Sequence, residues 1–211
     1  MIVGIVGGIA AGKSTVVEML AECGADFIDA DSEAHRVLEQ HEVKAALVEW
    51  LGPEVVTPEG SVDRATIAQK VFADPKALER LQHLVHPGVR RAIERKVKEY
   101  RSQATSPMLV LDVPLLLESE SLTELCDKLI FIEANQQIRT ARVATRNWTA
   151  EDLQKRESFQ MDIEEKRSRA DLTIDASGTL DATRERVRAC FNKLVGLSSG
   201  QETTNSTAKN D

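Results

Sequence analysis

Short apolar runs alternate along the chain with longer stretches in which apolar residues recur at helical spacing. Residues 2–6 (IVGIV), 26–29 (DFID), 108–113 (MLVLDV), 128–133 (KLIFIE) and 172–175 (LTID) read as strands. Four of the five are nearly continuous hydrophobic runs, as expected of strands covered on both faces by helices. Leu78, Leu81, Val85, Val89, Ala92, Ile93, Val97 and Tyr100 keep a helical period, and so do Leu180, Val187, Phe191 and Leu194. This alternation predicts a doubly wound α/β fold with a mostly parallel, five-stranded sheet and right-handed crossovers. His86-Pro87 interrupts the first helical pattern. Proline removes a ladder donor and pushes the residue before it out of helical geometry, so a split or kink is expected there.

The stretch from about 32 to 106 is too long for one crossover helix and holds no convincing strand. It reads as a helical subdomain inserted into a core of residues 1–31, 107–134 and 169–195. A second helical excursion, about 135–168, is rich in charge and poor in large apolar residues, the composition of a mobile lid. Residues 196–211 (GLSSGQETTNSTAKND) are polar and aperiodic and are expected to form a disordered tail. With 211 residues the chain can bury a core without help from disulfides or metal. Its 27 basic against 34 acidic residues leave a net charge of −7. That balance argues against a dedicated nucleic-acid binder, though not against a local basic site. Cys23, Cys126 and Cys190 are odd in number and far apart, which fits buried thiols in a reducing, cytoplasmic compartment. The apolar N-terminus has no basic residue ahead of it and runs straight into Lys13, so no signal peptide is expected. No run of 18 apolar residues predicts a membrane span.

Chemistry enters with Gly7-Gly8-Ile9-Ala10-Ala11-Gly12-Lys13-Ser14, which satisfies G-x-x-x-x-G-K-[ST] between an apolar strand and a helix beginning at Ser14. Glycines let successive backbone N–H groups turn toward one anion, and the helix N-terminus adds positive potential. Lys13 would lie between β- and γ-phosphates, and the Ser14 hydroxyl would ligate Mg²⁺. No Asn-Lys-x-Asp guanine-reading motif follows a strand, since Asn192-Lys193 continues into Leu194-Val195 within a helix. A small-molecule kinase using ATP fits the chain's length and its two helical excursions, which can close over the transferred phosphoryl group.

Asp29 and Asp31 follow the second strand, where a strand period of two would put both carboxylates on one side of the chain. One could orient Mg²⁺ and the other accept a proton, although Asp31 or Ser32 could also simply cap the next helix. Asp112 closes an apolar strand in the manner of a Walker B carboxylate that holds Mg²⁺. Arg139, Arg142 and Arg146 share one helical face within the lid segment, where an arginine can neutralise the transferring phosphoryl. His86, held at a proline break, could contact ligand or mark a bend.

These pieces resemble the dephospho-CoA kinase family. The resemblance is carried by Gly7 to Ile9 with Gly12 to Thr15, by Ile28-Asp29-Ala30-Asp31, by His86-Pro87, and by Val113-Pro114-Leu115-Leu116-Leu117-Glu118. Gln160, Glu165-Lys166, Ala170-Asp171 and Ile174-Asp175 extend it, in order, to about residue 195. It implies a P-loop NTPase type of sheet and ATP-dependent phosphorylation of the ribose 3′-hydroxyl of dephospho-CoA. Gly8 and Ala10 to Thr15 (Ala10, Ala11, Gly12, Lys13, Ser14, Thr15) would wrap the ATP phosphates. Asp31 would be the general base with Asp29 beside it. His86 would belong to a CoA-binding insertion, and Pro114 and Leu115 would meet substrate. The family usually has Gly-Ser where this chain has Ala10-Ala11, and its lid lacks the common Arg-Asp pair. Another P-loop nucleoside or nucleotide kinase, and a non-catalytic ATP-binding module, remain open at this level.

Overall fold

β1 (Ile2–Gly7) is buried along its whole length, so its two faces must both be covered, and it sits in the middle of the sheet. The computed structural model describes residues 1–72, 74–146 and 148–204, with side chains through 196. The sheet order is β2-β3-β1-β4-β5, where β2 is Asp26–Asp29, β3 Leu109–Asp112, β4 Lys128–Glu133 and β5 Leu172–Asp175. The β1–β3, β1–β4 and β4–β5 ladders are parallel. Pairing of Gly4 with Leu111 and of Gly7 with Ile132 brings the ends of β1, β3 and β4 to one edge of the sheet. That carboxyl edge, at the centre of a doubly wound sheet, is where such folds bind ligands.

The chain divides into two units. One is Met1–Ile28 with the chain from Val97 onward; the other is Asp29–Lys96. In the first, α1 (Lys13–Glu22) and α10 (Leu180–Thr204) cover one face of the sheet. Val16, Val17 and Leu20 meet Val187, Phe191 and Leu194 there, over Val3, Ile5, Ile130, Ile132 and Ile174. On the other face Gly4 leaves room for Leu116, Leu129 and Cys126, whose side-chain atoms lie 2.5–2.9 Å from where a Cβ would be. A 3₁₀ turn, Leu116–Glu118, and the short α6 (Glu120–Thr123) follow β3. The excursion after β4 is α7 (Gln136–Ala144), α8 (Ala150–Glu157) and α9 (Ile163–Ser168).

In the second unit α2 (Ala30–Leu38), α3 (His41–Leu51), α4 (Arg64–Val71) and most of α5 (Pro75–Gln103) surround a core of their own. Val37, Val43, Leu47, Ile67, Val71 and Val85 form it. The inserted body thus spans 29–96 where the sequence suggested about 32–106. Nor does His86-Pro87 divide the helix, as α5 runs continuously through Pro87. Proline costs one ladder bond, and the buried flank of Val85, Ala92, Ile93 and Val97 offsets that loss. Gly88, next to it, lets α2 approach, because a Cβ there would stand 2.7 Å from a Val37 methyl. The expected tail also differs. The helix carries on through Thr204, since extending a formed helix is far cheaper than nucleating one. Residues 205–211 lie outside the described residues. Among the described residues no helix is long and apolar enough to cross a membrane.

Candidate active site

The loop after β1 owes its shape to three backbone positions. At Gly7 (φ 153°) an added Cβ would lie 2.6 Å from the Ile132 carbonyl, so β4 packs directly on the backbone. Ala10 (φ 57°) and Gly12 (φ 102°) occupy the left-handed region. Glycine accepts that conformation freely, whereas alanine pays roughly 1–2 kcal/mol. The replacement of the family's glycine is therefore felt at Ala10, while buried Ala11 fills space in the core. Ala10→Gly is expected to stabilise the fold by about 0.5–1 kcal/mol after glycine's extra unfolded-state entropy is counted. Thermal denaturation would show it, and ATP affinity should hold because the loop acts through N–H groups.

Gly12 caps α1, so the first-turn amides around Lys13, Ser14 and Thr15 stay free for an anion, with Ser14 exposed. Lys13 Nζ donates to the Gly7 and Gly8 carbonyls at 3.1 and 3.0 Å. Burial lowers its pKa to about 8; Asp112 opposes that shift, and the nearby charges of Lys166, Arg139 and Arg146 add to it. Asp112, at the end of β3, thereby stands as the carboxylate that Lys13 senses most strongly.

The three arginines have different surroundings. Arg142 Nη1 donates to the Ala10 and Ala11 carbonyls at 3.1 and 2.7 Å, and its Nη2 to the Ala176 carbonyl at 2.8 Å. Three carbonyls, two of them in the loop, hold this guanidinium. Arg139 is 7% exposed and pairs with Glu157 of α8. Its Nη1 stands 2.9 Å from where a Cβ of Gly8 would be, and its Nε is buried without a hydrogen-bond partner. Arg146 is exposed.

Pro114 and Leu115 follow β3, both exposed. Leu115 takes φ 58°, ψ 35°, an unusual conformation for a large side chain, and so turns Leu116 and Leu117 into the core. Strain of this kind concentrates where ligands are held. Lys166, one of the residues that carry the family resemblance but given no role by the sequence, is 6% exposed although its segment is highly charged. Its spacing of three from Ile163, on one face of α9, is the signal that could have found it.

In the other unit, Asp29 and Asp31 do not share a strand face. Asp29 ends β2 and caps α2, accepting the Asp31 and Ser32 amides at 3.1 Å each and the Ser32 hydroxyl at 2.6 Å. Burial raises its pKa, but these bonds, with His35 nearby, outweigh it and hold the carboxyl below its usual range. Asp31 lies exposed in the first turn of α2 and, among the described residues, its carboxylate is unbonded. His86 is exposed on α5.

A phosphate-binding loop at the carboxyl edge of a 2-3-1-4-5 sheet, with a helical excursion whose cations reach that loop, defines a P-loop kinase. Comparison with known proteins narrows the class. A profile of dephospho-CoA kinase matches residues 1–182. A dephospho-CoA kinase of Symbiobacterium thermophilum is 40% identical over 209 residues, covering 98% of this chain and 87% of the relative. One from Enterococcus faecalis is 34% identical over 197 residues, covering 92% and 98%. The structure of the Campylobacter jejuni dephospho-CoA kinase superposes with a TM-score of 0.69 at 24% identity, over 92% of this chain and 97% of that one, which shows the shared fold. The chain belongs to the dephospho-CoA kinase family.

Proposed function

We propose that this protein transfers the γ-phosphoryl group of ATP to the ribose 3′-hydroxyl of dephospho-CoA, giving coenzyme A and ADP. The observation that carries the reading is the Lys13 ammonium on the Gly7 and Gly8 carbonyls, beside the Arg139 guanidinium, within a family whose named members are dephospho-CoA kinases. The loop amides from Gly8 to Thr15 bind the phosphates. Lys13 and Arg139 meet the charge that builds on the transferring group, while Arg142 keeps the loop in shape. As the 3′-oxygen bonds to phosphorus and the bond to ADP breaks, the hydroxyl proton passes to the Asp31 carboxylate. Asp29 orients Asp31 by capping its helix. Pro114, Leu115 and His86 are assigned to substrate contact, and α7 to α9 to the lid that excludes water.

The Ser14 hydroxyl and Asp112 carboxylate are hard oxygen donors suited to Mg²⁺, which favours few protein ligands beside phosphate oxygens and water. Such an ion, when bound with ATP, neutralises phosphate charge. A cytoplasmic setting accords with the free thiols of Cys23, Cys126 and Cys190. Burial pushes the Cys126 thiol up to about 12, so it stays protonated and structural.

An ADP-release assay against dephospho-CoA, nucleosides and nucleoside monophosphates tests the substrate. Turnover should be confined to dephospho-CoA, with a new 3′-phosphomonoester in the ³¹P spectrum. Faster turnover of a nucleoside monophosphate would overturn it.

A further inference from the structure

Lys166 is a buried cation that the mechanism above leaves unused. It lines a cavity of about 250 Å³ together with Gly8, Gln154, Glu157, Gln160 and Asp162. An ammonium so nearly removed from water needs partners for its three protons. Lys166 Nζ donates to Gln160 Oε1 at 2.8 Å, and Glu118 Oε1 lies at 3.8 Å, beyond hydrogen-bond length. That Glu118 oxygen already accepts the Met161 amide at 3.0 Å. The other carboxylates of the cavity are committed too. Glu157 pairs with Arg139, and Asp162 caps α9 by accepting the Glu164 and Glu165 amides. Gly8, on the same wall, carries the carbonyl that anchors Lys13 and lies against the Arg139 guanidinium, whose Nε is also unsatisfied. Two nearly buried, under-bonded cations therefore flank one end of the phosphate loop.

We propose that Lys166 is a second phosphate-binding lysine, donating to oxygens of the terminal phosphoryl group alongside Lys13 and Arg139. The charge of a loose phosphoryl transition state is spread over three equatorial oxygens, and a third donor completes the set. Gln160 fixes the direction of the ammonium. The assignment rests on the nucleotide-site reading above but not on the identity of the acceptor.

The test compares the full chain with its Lys166→Met variant by calorimetry, using Mg²⁺ with ADP or with the β,γ-imido analogue of ATP. The analogue should bind about tenfold or more weakly while ADP affinity stays within about twofold, and kcat should fall about 10²-fold, the size seen for lost transition-state donors. Lys166→Arg should recover part of kcat. If the methionine variant melts below the assay temperature, Gln160→Ala, which frees the ammonium without removing it, should lower kcat about tenfold with ADP affinity intact. Equal weakening of ADP and the analogue, or no weakening of either, would overturn the assignment. Failure of dephospho-CoA as acceptor would sink the proposed reaction yet leave the analogue-to-ADP ratio as a valid readout.

Discussion

Turnover by a Lys13→Met variant is expected to fall by about 10³-fold or more, because the substitution removes a preorganised cation from the point where phosphoryl charge develops. Methionine keeps the length of the side chain and its packing, so melting temperature should change little. The lowered pKa gives a second, independent signature. An anionic triphosphate beside Lys13 raises that pKa again, so ATP binding at pH 9 should take up a proton, while at pH 7 the group is already charged and uptake should be small. Calorimetry in buffers of differing ionisation enthalpy measures this, and the methionine variant should lose the difference. The linkage to folding has a definite sign. Between about pH 8 and the ordinary lysine value of 10.5, the unfolded chain holds a proton that the folded chain does not. The contribution of Lys13 to stability without nucleotide therefore rises with pH through that window. A methionine variant within tenfold of the wild-type rate would remove Lys13 from catalysis.

The sheet was legible in the sequence because its chemistry is local. Strands buried on both faces, as β1, β3 and β4 are, must be apolar nearly throughout, and the five runs mark β1 to β5 with ends displaced by at most one residue. The phosphate loop was legible for the same reason: its glycines, lysine and serine answer to backbone geometry within eight residues. The split allowed for at Pro87 does not occur because the penalty of one missing ladder bond is local, whereas the burial that offsets it along α5 comes from residues far apart in sequence. The arginines show the same limit from another side. Spacing placed Arg139, Arg142 and Arg146 on one helical face, but α7 ends before Arg146, and spacing could not tell which would meet Glu157 and which the carbonyls of Ala10, Ala11 and Ala176. Lys166 entered only as part of the family resemblance, without a site role, because surface charge is the ordinary fate of lysine in so polar a segment.

The paired aspartates illustrate how a cap and a base can be separated by experiment. Two carboxylates two residues apart looked equivalent by strand periodicity. In the folded chain Asp29 spends its lone pairs on two amides and a hydroxyl, while Asp31 keeps its own unspent. A carboxylate already accepting three hydrogen bonds is a poor proton acceptor; an unbonded one is a good candidate. Asp31→Asn should therefore lower kcat by about 10²–10⁴-fold, the usual contribution of a general base, with little change in melting temperature or in ATP affinity. Asp29→Ala should show the opposite balance. Loss of the cap is expected to cost about 1 kcal/mol of stability, and kcat should drop only as far as the first turn of α2 loosens around Asp31. Steady-state kinetics and thermal melts on both variants decide the matter. If Asp31→Asn turned over within tenfold of wild type while Asp29→Ala lost most activity, the base would be Asp29 and the assignment of roles would reverse.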